Sequence, residues 1–279
     1  MKLFKIERRS GLGPEEFKKE YLSRKRPVVL TDFAKDWPAT EKWTFDFLRA
    51  EYGHIEVPLF DKKFSEPGKT YMTPTMKMKF GDYLTLIENE PTELRMFLFN
   101  IFRHAPELVS DVRRPTIMKG FLNEYPFMFF GGMGSSVKMH YDIDCSNVFL
   151  TQFQTRKKIT LFSPDQSKFL YHLPFTVASL VDMEEPDIEK YPALKKVRGW
   201  ETVIGHGETI FIPSMYWHFI EYIDGGFSLA LRSTGSLTHR IKGALNIARH
   251  FVVDRGMNKV LGTRWHSYKK ELAYKRAGV

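Results

Sequence analysis

Apolar and polar positions change rhythm twice along this chain. In the first half the spacing is mixed. Pro14 follows Gly13 and precedes Glu15 and Glu16, which predicts a helix start, with Phe17 and Tyr21 on one buried face. Residues 27–30, Pro-Val-Val-Leu, read as a buried strand. A helix is expected over 44–51 with Thr44 as its N-cap, then a strand-like alternation over 54–60 that Pro58 disturbs. Met76, Phe80, Tyr83, Leu84 and Ile87 fall at helical spacing and predict a helix packed on the core.

From Phe127 the period shortens to two. Strands are expected over 127–130, 148–153, 157–162, 202–204, 208–212, 217–222 and 227–231, with turns at Gly131-Gly132, at 205–207 and at Asp224-Gly225-Gly226. Closely spaced strands with glycine turns describe a small antiparallel barrel or jelly roll. Residues 171–200, rich in Pro, Glu and Asp, read as a surface insertion between two barrel strands. The rhythm then returns to helical. Ile241, Leu245, Ala248 and Val252 form one stripe and Leu261, Trp265, Tyr268 and Leu272 another, separated by Gly256. The chain therefore divides into a mainly β domain with flanking helices, 1–236, and a helical element, 237–279. The apolar faces of that element must fold back on the barrel or pair with a second copy, and a homodimer is the expectation.

Composition narrows the class. With 279 residues, 43% hydrophobic and 15% aromatic, the chain can bury a full core, which excludes disorder. Residues 1–10 lack the apolar centre of a signal peptide, and no apolar run is long enough to span a bilayer. The single cysteine, Cys145, can form neither an internal disulfide nor a thiolate zinc site, so the expected compartment is the cytoplasm, without membrane contact. The net charge of +9 reads as short scattered clusters, among them Arg24-Lys25-Arg26 and Arg156-Lys157-Lys158. Such clusters are ordinary solvated surface, with RNA the partner to test.

Candidate chemistry sits in the β half. His140 and Asp142, two apart, would point to the same side of a strand about 6.5 to 7 Å from each other. His218 lies far along in Tyr216-Trp217-His218, at the start of a later strand. Two imidazoles and one carboxylate form the facial triad of non-haem iron(II), which leaves positions open for a bidentate co-substrate and oxygen. A lone His-x-Asp is common; the joint order of glycine turn, His-x-Asp, lysine-led strand, Gly207-x-Glu-x-x-x-x-Pro and Tyr-Trp-His is not.

In that order the chain resembles the JmjC and cupin-like 2-oxoglutarate oxygenases, small hydroxylases among them. The matching stretches are 25–30, Trp43-Thr44, His140-Tyr141-Asp142, 157–165, Leu170-Tyr171, Pro186-Asp187, Tyr191-Pro192 and 207–218. The resemblance implies a double-stranded β-helix, with His140, Asp142 and His218 as iron(II) ligands and Lys157 paired with the distal carboxylate of 2-oxoglutarate. It further implies consumption of oxygen and hydroxylation of a C–H bond on a protein side chain or small molecule, demethylation being the same step on an N-methyl group.

Departures from the family pattern sharpen the expectations. Two extra residues between His140 and Gln152 suggest a bulge and make Asp144 a rival to Asp142. Val137 stands where relatives place a threonine, so a second co-substrate contact is either lost or moved to Ser135 or Ser136. Arg232 could supply a further cation, and Asn147, Ser233 and Asn100 are candidate polar neighbours. His172 and His206 read as surface groups, and Cys145 as a buried thiol. The rival readings are an RNA-modifying oxygenase and a cupin-fold metal-binding protein without oxygenase activity.

Overall fold

The computed structural model describes residues 1–62, 73–97, 100–122, 126–234 and 237–278. The expected division between 236 and 237 therefore adjoins residues outside the described ones. The first half contributes β1 (Lys2–Lys5), β2 (Arg8–Arg9), α1 (Pro14–Phe17), β3 (Val28–Leu30), α2 (Pro38–Lys42), α3 (Phe45–Tyr52), β4 (Glu56–Leu59), β5 (Met76–Lys79), α4 (Phe80–Asn89) and β6 (Arg95–Met96). The β half contributes β7 (Phe127–Gly131), β8 (Ser136–His140), β9 (Asn147–Phe153), β10 (Lys157–Phe162), β11 (Arg198–Ile204), β12 (Thr209–Ile212), β13 (Trp217–Tyr222) and β14 (Gly226–Ser233). Strands β4 and β5 pair as a separate two-stranded sheet, and the others form two sheets, β1-β11-β10-β13-β8 and β2-β3-β12-β9-β14-β7-β6, the jelly roll that the alternation predicts.

The barrel strands read as near-continuous apolar runs because both faces are covered. Along β9, Val148 and Leu150 join Ile159, Leu161, Ile210, Ile212 and Ala230 in one cluster between the sheets. Phe149 turns the other way, onto Phe17, Val28 and Phe211, and Phe153 joins the N-terminal helices around Trp43 and Leu48. The smaller sheet covers its outer face with Phe162, Trp217 and Phe219, packed on the insertion. Burying a side chain such as Phe149 contributes roughly 1.5 to 3 kcal/mol.

Thr44 caps α3 as its position demands, accepting a hydrogen bond from the Phe47 N–H at 3.0 Å. Three expectations need correction. Met76 is in strand β5, because β4 needs a hydrogen-bonded partner there, and the helix begins only at Phe80. The insertion is packed: Tyr171, Tyr191, Leu194 and Val197 are buried, and its last residues from Arg198 extend β11 to meet β1 in parallel. Its tyrosines hold α7 (Thr263–Ala277), which follows α5 (Leu237–Ala248) and α6 (Arg255–Leu261), through Ala273 and Ala277. The C-terminal helices break at Gly262 (φ 52°), where glycine adopts a left-handed backbone without a Cβ penalty, and Gly256 stays helical.

Candidate metal and co-substrate site

Register assembles the site. On β13 and β8, His218 lies directly across from His140, and the pairing shifts between His218 and Ile220. Strand β8 ends at His140, so Asp142 sits in the following turn rather than on the strand, a correction to the strand reading. The backbone irregularity expected between His140 and Gln152 lies in this turn, where the Cys145 N–H donates to the Asp142 carbonyl at 3.1 Å and Cys145 takes a φ of 53°. The bend swings the carboxylate toward the imidazoles, and His140, Asp142 and His218 each offer a ligand atom within 4.8 Å of the others.

The donor set fits a divalent metal. Each imidazole has Nδ1 against its own strand, His140 at 2.8 Å from the Lys138 carbonyl and His218 at 3.1 Å from the Tyr216 carbonyl. A proton on Nδ1 satisfies both contacts and leaves Nε2 as the lone-pair nitrogen, the usual support for a metal-bound histidine. Burial, with His218 adding to it, pushes His140 down to about 3, so its ring is neutral. Burial opposes ionisation of Asp142. The charge of Arg232, which also donates a hydrogen bond to it, overcomes this and holds the carboxyl well below the usual range.

Arg232, from the inner face of β14, donates to Asp142 at 2.9 Å, to both Asp144 oxygens at 3.1 and 3.2 Å and to Ser146 Oγ at 3.1 Å. Both carboxylates pair with Arg232, but it is Asp142 that lies with the two imidazoles within 4.8 Å, which leaves Asp144 as a counter-charge. Asn147 accepts from the Ser214 N–H and reaches the Ser233 carbonyl, and Ser233 Oγ donates to the Lys119 carbonyl. Ser135 Oγ donates to the Gly132 carbonyl, Ser136 Oγ to Glu184, and Asn100 caps a short turn at Phe102. These polar atoms bind neighbouring parts of the chain. His206 is exposed and accepts from the Gln154 N–H, as a surface group. His172 is no surface group: its ring packs on Tyr141 and Trp217, and Nε2 meets the Thr176 carbonyl at 2.7 Å.

Four residues along β10 from Leu161, the partner of His218, Lys157 points into the same interior, roughly 13 Å away by strand rise. It is 1% exposed, so the solvated alternative fails. Its ammonium donates to Ser228 Oγ at 2.6 Å and lies 4.1 Å from the Tyr222 ring, with no carboxylate in ion-pair range among the described residues. Burial alone pulls it down to about 7. Gly131 leaves space for that ring, since a Cβ there would come within 2.7 Å of it. Gln152 adds an Oε1 buried without a partner. Ser228, Tyr222 and Gln152 were missed in the sequence, although steps of two from Arg232, His218 and Val148 reach them.

Two sheets closed around a His-Asp-His cluster define a jelly roll with a candidate metal site. The match to known proteins gives the family: a model described as a cupin-like domain covers residues 14–233, and the chain belongs to that family. Its relatives include JmjC domain-containing protein D of Dictyostelium discoideum, 30% identical over 244 residues, which covers 77% of this chain and 53% of that protein. Lysine-specific demethylase 8 of Danio rerio is 27% identical over 226 residues, covering 77% of this chain and 55% of the relative. tRNA wybutosine-synthesizing protein 5 of Gallus gallus is 29% identical over 241 residues, covering 79% and 74%. The chain spans about half the length of the first two.

Proposed function

We propose that the chain is an iron(II)- and 2-oxoglutarate-dependent oxygenase that hydroxylates a C–H bond of a protein side chain or other substrate. The observation that carries this reading is the pairing, in one barrel interior, of a His-Asp-His donor set with a buried lysine that has no counter-anion among the described residues. A buried ammonium without a carboxylate is costly, and a dianionic keto acid reaching from the metal toward it would supply the missing charge. When bound by the triad, iron(II) supplies oxygen activation coupled to conversion of the keto acid to succinate and carbon dioxide.

The remaining work falls to the chain itself. Lys157, steadied by Ser228 and Tyr222, holds the distal carboxylate, and Gln152 offers an unspent acceptor in the same interior. The Nδ1 contacts orient both imidazoles, and Arg232 holds Asp142 ionised and aimed. Ile159, Leu161, Ile210 and Ala230 keep water from the space between the sheets. The relatives' names include lysine-specific demethylases and a tRNA wybutosine-synthesizing protein, and both suit hydroxylation of carbon.

A homodimer through the C-terminal helices belongs to the same proposal. Ile241, Leu245, Val252 and Val260 are between 50% and 78% exposed, a line of apolar side chains that a second copy would cover. The lone cysteine, a buried thiol beside Asn246, suits a reducing compartment, and we place the chain in the cytoplasm. The test of the activity is succinate formation from 2-oxoglutarate, followed by NMR with iron(II) and oxygen present. Turnover lost in Asp142→Ala supports the reading; turnover absent in wild type overturns it.

A further inference from the structure

The net charge is segregated, against the scattered clusters expected from sequence. Residues 237–279 hold ten of the chain's 42 Lys and Arg but two of its 33 Asp and Glu, a surplus of +8, which leaves residues 1–236 only +1. One of those acids, Asp254, is buried and taken by Lys269 at 2.5 Å and by the Trp265 indole N–H at 2.9 Å. The other nine basic side chains are all exposed. Among the described residues none of the nine lies within ion-pair distance of a carboxylate, whereas Lys5, Arg8, Arg156 and Lys158 of the barrel each do.

This charge is held beside the metal site. A Cβ at Gly243 of α5 would come 2.3 Å from the Asp144 carbonyl oxygen, and Asn246 donates to Cys145 Sγ at 3.2 Å, so α5 rests on the turn that carries Asp142. Trp265, at the start of α7, packs on Phe175 of the insertion, whose residues 177 and 178 pair along Tyr141 and His140. Aromatic faces are interleaved with the cations: Phe251 lies under Arg255 at 5.4 Å, and Tyr268 is 52% exposed and stacked on Trp265.

We propose that the C-terminal helices form a docking surface for a single-stranded nucleic acid, which they present to the neighbouring site. Uncompensated cations track a phosphate backbone, and exposed aromatic rings stack on unpaired bases. An anionic lipid surface is served less well, because the apolar line of α5 and α6 is the face assigned to a second copy, and the exposed face of α7 carries Arg264, Tyr268, Lys275 and Arg276 beside one acid, Glu271, with no exposed large aliphatic side chain to enter lipid. The purpose of such docking, delivery of substrate, rests on the oxygenase reading; the docking itself needs neither metal nor keto acid.

The test is fluorescence anisotropy of a labelled 20-nucleotide oligouridylate with the full chain, between 50 and 300 mM KCl. Binding should weaken with a log–log slope of about 3, as for four phosphates on a single strand. Arg264→Glu with Lys275→Glu should weaken binding at least tenfold and flatten the slope, and Tyr268→Ala should weaken it at unchanged slope. All three positions are exposed, and circular dichroism melts check that the variants fold. No binding at 50 mM KCl, equal binding by the double variant, or binding to phosphatidylserine vesicles in place of the oligomer would each overturn the proposal. Any of these alongside intact 2-oxoglutarate binding would leave the oxygenase reading standing.

Discussion

The barrel and the C-terminal helices solve opposite problems with one chain. The central barrel strands β9, β10, β12 and β14 bury both faces, and among the described residues Lys157 is a cation enclosed there without a carboxylate in ion-pair range, which we assign to the co-substrate end. The C-terminal helices instead leave large apolar and basic side chains in water and bury one ion pair, Asp254–Lys269. Satisfied interiors specify structure, so a buried cation without a counter-anion among the described residues points to a ligand. Unsatisfied surfaces point to partners.

The largest expected effect breaks the barrel side of this contrast. His218→Ala removes one of three ligands and should abolish measurable iron(II) binding by isothermal titration, with the fold retained in circular dichroism. Retained metal affinity would mean that the triad is an ordinary polar cluster. Arg232→Met should come next, costing about 10- to 100-fold in metal affinity, as loss of a group that orients a ligand does. The cobalt(II)-substituted protein should report it as a shifted visible spectrum. An unchanged affinity would make Arg232 only a brace for Asp144.

How much of this was legible in the sequence depends on range. The strand limits of β10 and β13 were readable because alternation is local, and the triad because residue type and order are. The pairing of Arg232 with Asp142 was not, since nothing in a run of residues shows which strand lies opposite. Neither was the burial of Tyr171 and Tyr191: the insertion has no period, and its core forms only against α7. The charge segregation is countable from the residues, but its exposure and its lack of paired acids depend on how α5 to α7 pack, which no local pattern shows.

Two smaller effects sharpen the comparison. Lys157 is displaced downward from 10.5 to about 7, so between those values the unfolded chain binds the extra proton and stability rises with pH. Chemical denaturation of the protein without co-substrate should show an increase of up to about 1.4 kcal/mol per pH unit in that window. Lys157→Met should flatten the slope, and an unaltered slope would place the titration elsewhere. In the helices, Val252→Asp should shift light scattering from dimer to monomer while the barrel's melting temperature changes little. A wild-type monomer would remove the dimer.

The most direct test of the central claim is an anaerobic titration of 2-oxoglutarate into the iron(II)-loaded chain at pH 6.5 and 8.5, with Lys157→Met alongside. The account predicts binding that weakens roughly tenfold for each pH unit above 7, with proton uptake at the higher pH, and little binding by the variant. Equal binding by Lys157→Met, or none by the wild type, would contradict it.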